Sequence, residues 1–287
     1  MLKYKADLRS ILYLIIISAM FAWQWNYGFN VWLYIVYLHF AVAISVITHN
    51  HNHLNMWENK TLNVLTDWWL TVFYGIPIFC WIPTHNRNHH RYNNKPGDHT
   101  AVYRNSEDNH LFTLVSYPSR SSVYQIKEGI IPYMKNLKIN DPKVYWEYLT
   151  QIGVLVIWVA AFLILDWKKA LLYVVIPQQV SGYMVMIFNY VQHIHADEES
   201  KWNHSRNFMG VNLFLFNNGY HTVHHEKANL HWSETPKMHE EIKHLINPEL
   251  IEKSFYGYIF RVYVLGLIFP KFKTHNMRLE RIETSGK

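Results

Sequence analysis

Cysteine is nearly absent from this chain, whose 287 residues include one, Cys80, inside an apolar stretch. A single cysteine excludes an intrachain disulfide and a metal site built on thiolates. Charged residues are also scarce, at 17% against roughly 25% in an ordinary soluble domain. The net charge of +6 comes from scattered Lys and Arg, and no nucleic-acid-binding motif is present, so no nucleic-acid partner is expected.

Apolar residues are abundant instead, since half of the chain is hydrophobic. Four apolar stretches are each close to the ~20 residues that cross a hydrocarbon core about 30 Å thick. Short connectors at 26–30 and 166–169 join them into two hairpins. The pattern therefore predicts an all-α integral membrane protein with four transmembrane helices. These helices are predicted at approximately residues 8–25, 31–48, 149–165 and 170–191.

The first apolar stretch follows three basic residues within positions 3–9, as in a signal peptide. Trp23 and Trp25 stand where a cleavage site would need small residues, so we expect the stretch to be retained. Basic residues are frequent in segment 49–147 as well, and basic loops favour the cytoplasmic side. Both termini and this segment are therefore expected to be cytoplasmic.

The sequence predicts a single domain over residues 1–287. Segments 49–147 and 192–270 are expected to form a cytosolic helical cap, and the polar tail 274–287 is expected to be mobile.

Two further apolar stretches are broken by polar or charged residues or by proline. Residues 62–83 are predicted to form a buried or interfacial element, and residues 255–269 an interfacial helix. With four spans, every histidine cluster falls on the same side of the membrane. A fifth span would divide the clusters between the two sides.

Nineteen histidines are the most unusual feature of the composition. Most of the clustered ones follow an apolar stretch, and they recur at helical spacing, which puts residues three or four apart on one face. By this spacing His51 points away from its two neighbours. The clusters are His49 and His53; His85, His89 and His90; His193, four residues after Asn189; and His221, His224 and His225.

Imidazoles grouped in this way offer several nitrogen donors to one point, and such donors suit iron, zinc, copper and nickel. Nine histidines exceed the needs of one ion, so we expect two ions. Carboxylates should orient the ring N–H groups of the ligands, because neutral ligands leave the metal charge uncompensated. The carboxylates placed to do so include Asp98, Asp197 and Glu226.

Other metal motifs fail on spacing. His239 and His244 are one residue too far apart for a zincin helix, and Glu241 and His244 form only one of the two motifs that a soluble di-iron bundle needs. A membrane protein that binds or transports transition metals remains the alternative of another class. That alternative predicts histidines within the spans, where His39 is the one example.

The clusters resemble the three histidine boxes of the membrane fatty acid desaturase family, which includes related hydroxylases and carotenoid oxygenases. The additional His193 and its neighbour Asn189 resemble a further ligand of that family and the asparagine that holds a metal-bound water. The resemblance covers roughly residues 10–245. The matching boxes are His49-x3-His53, His85-x3-His89-His90 and His221-x2-His224-His225.

The resemblance implies four transmembrane helices with a cytosolic cap that holds the metals. It implies two iron ions, cycling between Fe2+ and Fe3+, with O2 as the oxidant and a lipid acyl chain as the substrate. A separate protein of the ferredoxin or cytochrome b5 type would supply electrons. We expect fatty acyl desaturation. Lipid or carotenoid hydroxylation or ketolation and fatty-acid decarboxylation share the same boxes and remain alternatives.

Overall fold

The computed structural model describes residues 1–104 and 106–285, and it confirms the prediction of a helical protein. Among these residues the strands are a two-residue parallel pair, β1 (Asn207–Phe208) and β2 (Ile251–Glu252). The longer helices are α1 (Leu8–Tyr27), α2 (Val31–His53), α3 (Lys60–Tyr74), α4 (Ile78–Tyr92), α5 (Leu111–Tyr124), α6 (Ile131–Asn140), α7 (Pro142–Ala170), α8 (Ile176–His193), α9 (His221–Glu226), α10 (Thr235–Ile242), α11 (Phe255–Ile268) and α12 (Met277–Ser285).

Irregular helical turns connect these elements or lie within them. π-Helical segments cover Ile82–His89, Gln125–Ile130, Leu171–Val175 and Arg261–Leu265. Short 3-10 turns cover Lys5–Asp7, Ile78–Cys80, Val102–Arg104, Met209–Val211, Trp232–Glu234, Lys243–Leu245, Pro248–Leu250 and Pro270–Phe272.

The chain divides into two compact units. The first contains residues 1–83 and 130–185, and the second contains residues 84–129 and 186–287.

Three helical segments of the described residues are long and apolar enough to cross a membrane. They are Lys5–Tyr27, Val31–His53 and the 52-residue segment Pro142–His193. A straight helix of that last length would measure about 80 Å, more than twice a hydrocarbon core. A bent pair, α3 with α4, passes the same test only if it is counted as one span, and its two parts meet at 91°.

The long segment is broken at Asp166, whose backbone is not helical (φ −162°, ψ 97°). The Oδ1 atom of Asp166 accepts hydrogen bonds from the backbone N–H groups of Lys168 and Lys169, both at 3.1 Å, as a helix N-cap does. A second helix therefore begins here.

Contacts within the first unit show that the chain reverses at this break. The backbone N–H of Phe79 donates to Gln151 Oε1 at 3.0 Å, and Gln178 Nε2 donates to the carbonyl of Val72 at 2.7 Å. In a straight helix, residues 151 and 178 would lie about 40 Å apart. Because both contact the short stretch 72–79, the two parts of the segment run side by side.

Apolar side chains on this segment are exposed. Ile157, Ile164 and Leu165 are 69%, 84% and 71% exposed. Water would disfavour so much contiguous apolar surface, whereas lipid accommodates it.

The second unit has its own apolar core. The side chains of Val223, Ile242, Ile246 and Leu250 are buried together with Met277 of α12. Sequence analysis had not predicted α12, which lies within the tail expected to be mobile, and residues 286–287 of that tail lie outside the described residues.

Ion pairs also hold α12 within the second unit. Arg278 pairs with Glu107 and with the buried Glu198. Arg281 pairs with Asp197 at 2.6 Å and with Glu198 at 2.8 Å. These pairs, with the burial of Met277, give residues 277–285 a defined place in the fold.

Candidate metal centre

Three histidines of the second unit bring ring nitrogens together. Nε2 of His85 lies 3.1 Å from Nε2 of His90 and 3.4 Å from Nε2 of His224. The Nε2 atoms of His90 and His224 are 3.0 Å apart. These three residues are the first histidine group.

Four other histidines of the second unit form the second histidine group, His89, His193, His221 and His225. Nε2 of His193 lies 3.1 Å from Nε2 of His89 and 2.9 Å from Nε2 of His221. Nε2 of His225 is 3.2 Å from Nε2 of His221. One nitrogen from each of the four lies within 4.8 Å of the others.

The spacing within both groups fits a metal ion. Two imidazoles bound to one ion at about 2.0–2.1 Å place their donor nitrogens about 2.9–3.4 Å apart for right-angled to tetrahedral arrangements. The Nε2 pairs described above fall in this range. Three facing imidazole nitrogens cannot all be satisfied by hydrogen bonds to one another, because each nitrogen of a neutral ring is either a donor or an acceptor and at least two of the three are of the same kind.

The other ring nitrogens of two members face hydrogen-bond acceptors. Nδ1 of His89 lies 2.8 Å from Oδ2 of Asp98, and Nδ1 of His193 lies 3.2 Å from the carbonyl of His204. A carboxylate or carbonyl only accepts, so both histidines carry their proton on Nδ1. Their Nε2 lone pairs then point towards the shared centre. This tautomer, with the proton on Nδ1, is the form of histidine that binds a metal through Nε2.

Asp98 is fully buried, and its charge is held in place by several donors. Burial alone would raise the pKa of this carboxyl. His89 and the backbone N–H groups of Thr100 and Asn94, at 2.7 and 2.6 Å, outweigh that effect and keep the pKa well below its usual value. Asp98 is therefore ionised near neutral pH.

His225 favours its neutral form, whereas Asp98 favours its charged form. Burial and the adjacent histidines, His221 first, lower the pKa of His225 well below its usual value. The neutral ring, which is the ligand form, is favoured.

A π-helix determines which group each residue of the second box joins. The α-helical spacing predicted that His85 and His89 share a face. In the structure Ile82–His89 is π-helical, and a π-helix relates residues five positions apart. His85 therefore meets His90, and His89 belongs to the second group.

In the third box, an ordinary α-helix separates neighbouring histidines. His221 meets His225 through the i+4 spacing of α9, whereas His224 belongs to the first group. The turn before α9 requires Gly219, because a Cβ atom there would collide with the carbonyl oxygen of Phe208.

The first box lies in the first unit, on the last turn of α2. The rings of His49 and His53 are 4.8 Å apart, centroid to centroid, and His49 also lies 5.1 Å from the ring of Trp81. His51 faces elsewhere. Its Nε2 lies 3.1 Å from Oδ1 of Asp67, and its Nδ1 accepts from the backbone N–H of Met56 at 3.1 Å.

Asn189 lies one helical turn before His193 on α8. Its Nδ2 donates to the hydroxyl of Tyr117 at 2.6 Å, and that hydroxyl donates to the carbonyl of Thr100 at 2.6 Å. The side chain of Thr100 in turn lies 2.9 Å from Nδ1 of His89. Hydrogen bonds thus connect Asn189 with the second histidine group.

Two of the carboxylates expected near the ligands are engaged elsewhere. Asp197 pairs with Arg281, and Glu226 lies 4.0 Å from His204 rather than against one of the nine histidines. Their partners in the structure are therefore other side chains, determined by contacts that form when the chain folds. Asp98 does lie against His89.

Sequence analysis missed two contributors. Thr100 lies against both Asp98 and His89, and His204 offers its backbone carbonyl to His193. Thr100 was detectable in principle, since it follows Asp98 by two residues. A backbone carbonyl has no sequence signal.

The helical fold, the membrane-length helices and the two histidine groups define a membrane-associated protein with a histidine-rich candidate metal site. The model of the family described as fatty acid desaturase matches residues 25–257. The chain belongs to the fatty acid desaturase family, which confirms the resemblance noted in its histidine boxes and implies an oxidoreductase of lipids. No curated protein matches the chain. No solved structure matches it either.

Proposed function

We propose that the protein is an O2-dependent di-iron oxidoreductase that acts on an unactivated C–H bond of a lipid acyl chain, as a fatty acyl desaturase. The observation that carries this proposal is the convergence of Nε2 atoms in two separate histidine groups, in which neighbouring Nε2 atoms are 2.9–3.4 Å apart. Family membership supports iron as the metal and an acyl chain as the substrate.

The proposed ligand set has nine histidines. His49 and His53 are assigned to the ion of the first histidine group because the first box ends α2 with both rings on one face. The second group binds the other ion, with Asn189 contacting it through a water. The ligands are His49, His53, His85, His90 and His224 for one ion, and His89, His193, His221 and His225 for the other.

Held by these histidines, two irons would supply the redox chemistry for O2: two hydrogens from the acyl chain, with two electrons and two protons from outside, would convert O2 to two waters and leave a carbon–carbon double bond. The chain's own residues hold and orient the ligands. Asp98 and the His204 carbonyl hold protons on Nδ1 of His89 and His193, and Tyr117 fixes the amide of Asn189. A separate ferredoxin or cytochrome b5 type of protein would deliver the electrons.

The proposed topology has four transmembrane helices, with the reversal at Asp166 between the third and the fourth. The α3–α4 pair is then a re-entrant or interfacial element, in keeping with its 91° bend. Both termini and the metal site are proposed to be cytoplasmic, since the basic residues of 49–147 favour that side.

Lipid profiling of a host that expresses the chain tests the reaction. We expect acyl chains with one additional double bond. Metal analysis of the purified protein should give about two irons per polypeptide. Hydroxylated lipids, ketones or shortened alkenes would instead show that the protein catalyses hydroxylation, ketolation or decarboxylation, the other reactions that share these histidine boxes. Unchanged lipids together with variable zinc or copper would contradict the oxidoreductase and favour a metal-binding or transport protein.

Two histidines of one box provide a matched pair of variants. His53→Ala is expected to lower iron content and abolish turnover, whereas His51→Ala should retain its iron. His51→Ala leaves Asp67 and the Met56 N–H without their partner, so we expect it to lower the free energy of unfolding by about 1–3 kcal/mol. Iron analysis and thermal unfolding of both proteins check this; iron loss in His51→Ala would show that the wrong face was chosen.

Tyr117→Phe tests the connection between Asn189 and the second histidine group. The variant removes the hydroxyl that accepts from Asn189 and donates to Thr100. Turnover is expected to fall about fivefold to tenfold, the equivalent of one or two net hydrogen bonds, with iron content unchanged. Wild-type turnover in iron-loaded Tyr117→Phe would show that Asn189 needs no such support.

A further inference from the structure

The second unit contains a cavity of about 410 Å³ outside the histidine groups. Its volume lies within the range of roughly 300–1,000 Å³ that small-molecule sites occupy. Arg206, Glu249, Glu252, Arg261, Lys273 and His275 are among the residues that line it.

Arg206 is a buried cation in the wall of this cavity, only 2% exposed. Its Nη1 donates to the carbonyls of Val191 and Ile194, at 2.9 and 3.1 Å, and to the hydroxyl of Tyr258 at 3.3 Å. Among the described residues, nothing accepts from its buried Nε, and no carboxylate pairs with the guanidinium. A buried charge without a counter-ion is costly, so a bound anion would stabilise this arrangement.

The other charges of the cavity wall do not supply that counter-ion. Glu252 pairs with Arg261 at 2.5 Å, and Glu249 lies 3.3 Å from His275. Lys273, also in the wall, forms no ion pair within the described part of the chain. Apart from His275, the wall carries three cationic and two anionic side chains, a net charge of +1, and Arg206 and Lys273 are the two cations for which the described residues provide no carboxylate partner.

Helix α11, which carries Arg261, indicates where the anion comes from. Tyr256, Phe260, Val264 and Ile268 are 73%, 55%, 46% and 71% exposed. Because all four side chains are exposed, they give the outer side of the helix an apolar stripe. A stripe of this kind lies in the acyl region of a membrane interface, at the depth where phosphate headgroups begin.

We propose that this cavity binds a phosphate group, with Arg206 and Lys273 as its cationic partners, and that membrane phospholipid is the source. Arginine and lysine are the usual partners of phosphate, and a headgroup is the phosphate within reach of an interfacial helix. No histidine of either histidine group lines this cavity, and its binding test does not depend on the proposed reaction.

The test measures ligand binding by the full-length protein, purified in detergent, as a shift in thermal unfolding. One arm titrates inorganic phosphate against chloride at equal ionic strength. The other arm titrates short-chain phosphatidic acid against the diacylglycerol of the same chain length. Saturable stabilisation by phosphatidic acid and not by diacylglycerol is expected. If inorganic phosphate binds as tightly, the site takes soluble phosphate and the lipid source is wrong.

Three exposed positions provide the variants, since replacing Arg206 itself would also break the hydrogen bonds to Val191 and Ile194. Lys273→Ala should weaken binding about threefold to tenfold. Glu249→Gln removes a negative charge from the wall and should tighten binding about twofold. Lys271→Ala, a neighbouring lysine that does not line the cavity, should leave it unchanged. Equal affinity in all three variants, or no saturable binding of either phosphate ligand, would overturn the proposal.

Discussion

His224→Ala is expected to abolish product formation, with at least about a hundredfold loss of turnover, while the protein still inserts into the membrane. The side chain belongs to the first histidine group, where its Nε2 lies 3.0 Å from that of His90 and 3.4 Å from that of His85. Losing one donor from a set that closes around an ion opens the coordination sphere. Mutating a residue that only hydrogen-bonds to a metal ligand already lowers metal affinity or activity about 10–100-fold, so removing a ligand should cost at least as much.

Two measurements separate this effect from misfolding. Iron content of the purified variant should fall towards one ion per chain, because the second histidine group keeps all four members. Membrane-fraction yield and the thermal unfolding midpoint without metal should stay near those of the wild type, since His224 is only partly buried. The matched control is His244→Ala, an exposed histidine of the same unit, which should keep both irons and full activity. Full turnover by His224→Ala would refute the ligand assignment.

The sequence predicted the helical class and the histidines of the candidate site because both depend on local patterns. Apolar length identifies α1, α2 and the α7–α8 segment, and box spacing identifies the histidines. The division into groups was not predictable in the second box, because it depends on a π-helix. His89 and His90 are neighbours in the chain, yet they belong to different groups.

Contacts between residues far apart in the chain are likewise not predictable from local patterns. Asp197 was expected from the sequence to be one of the carboxylates near the ligands, and in the structure Arg281 of α12 pairs with it. The polar tail 274–287 was expected to be mobile, and in the structure two of its arginines, Arg278 and Arg281, pair with the buried Glu198, at least eighty positions away. Neither a helical period nor a box can signal such pairs, because they exist only in the folded chain.

Asp98→Asn is expected to lower activity and iron affinity by about 10–100-fold, although asparagine has nearly the same shape. Asp98 accepts from Nδ1 of His89 and so keeps the lone pair of Nε2 directed at the second histidine group. An asparagine that turns its amide N–H₂ towards His89 would donate instead. The proton of the ring would then move to Nε2, the atom that must bind the metal.

The expected signature is a second site that fills only at raised iron concentration. Titrating iron into metal-free protein should give two classes of site in Asp98→Asn, one with wild-type affinity and one weakened, and turnover should partly recover when iron is added in excess. Asp197→Asn is the matched control, because its carboxylate faces Arg281 and not a histidine ring, so its iron binding should equal that of the wild type. If Asp98→Asn binds both irons as tightly as the wild type, the tautomer of His89 is not what this carboxylate controls. The backbone N–H groups of Thr100 and Asn94 would then be its main partners, and its role would be to hold the loop that follows α4.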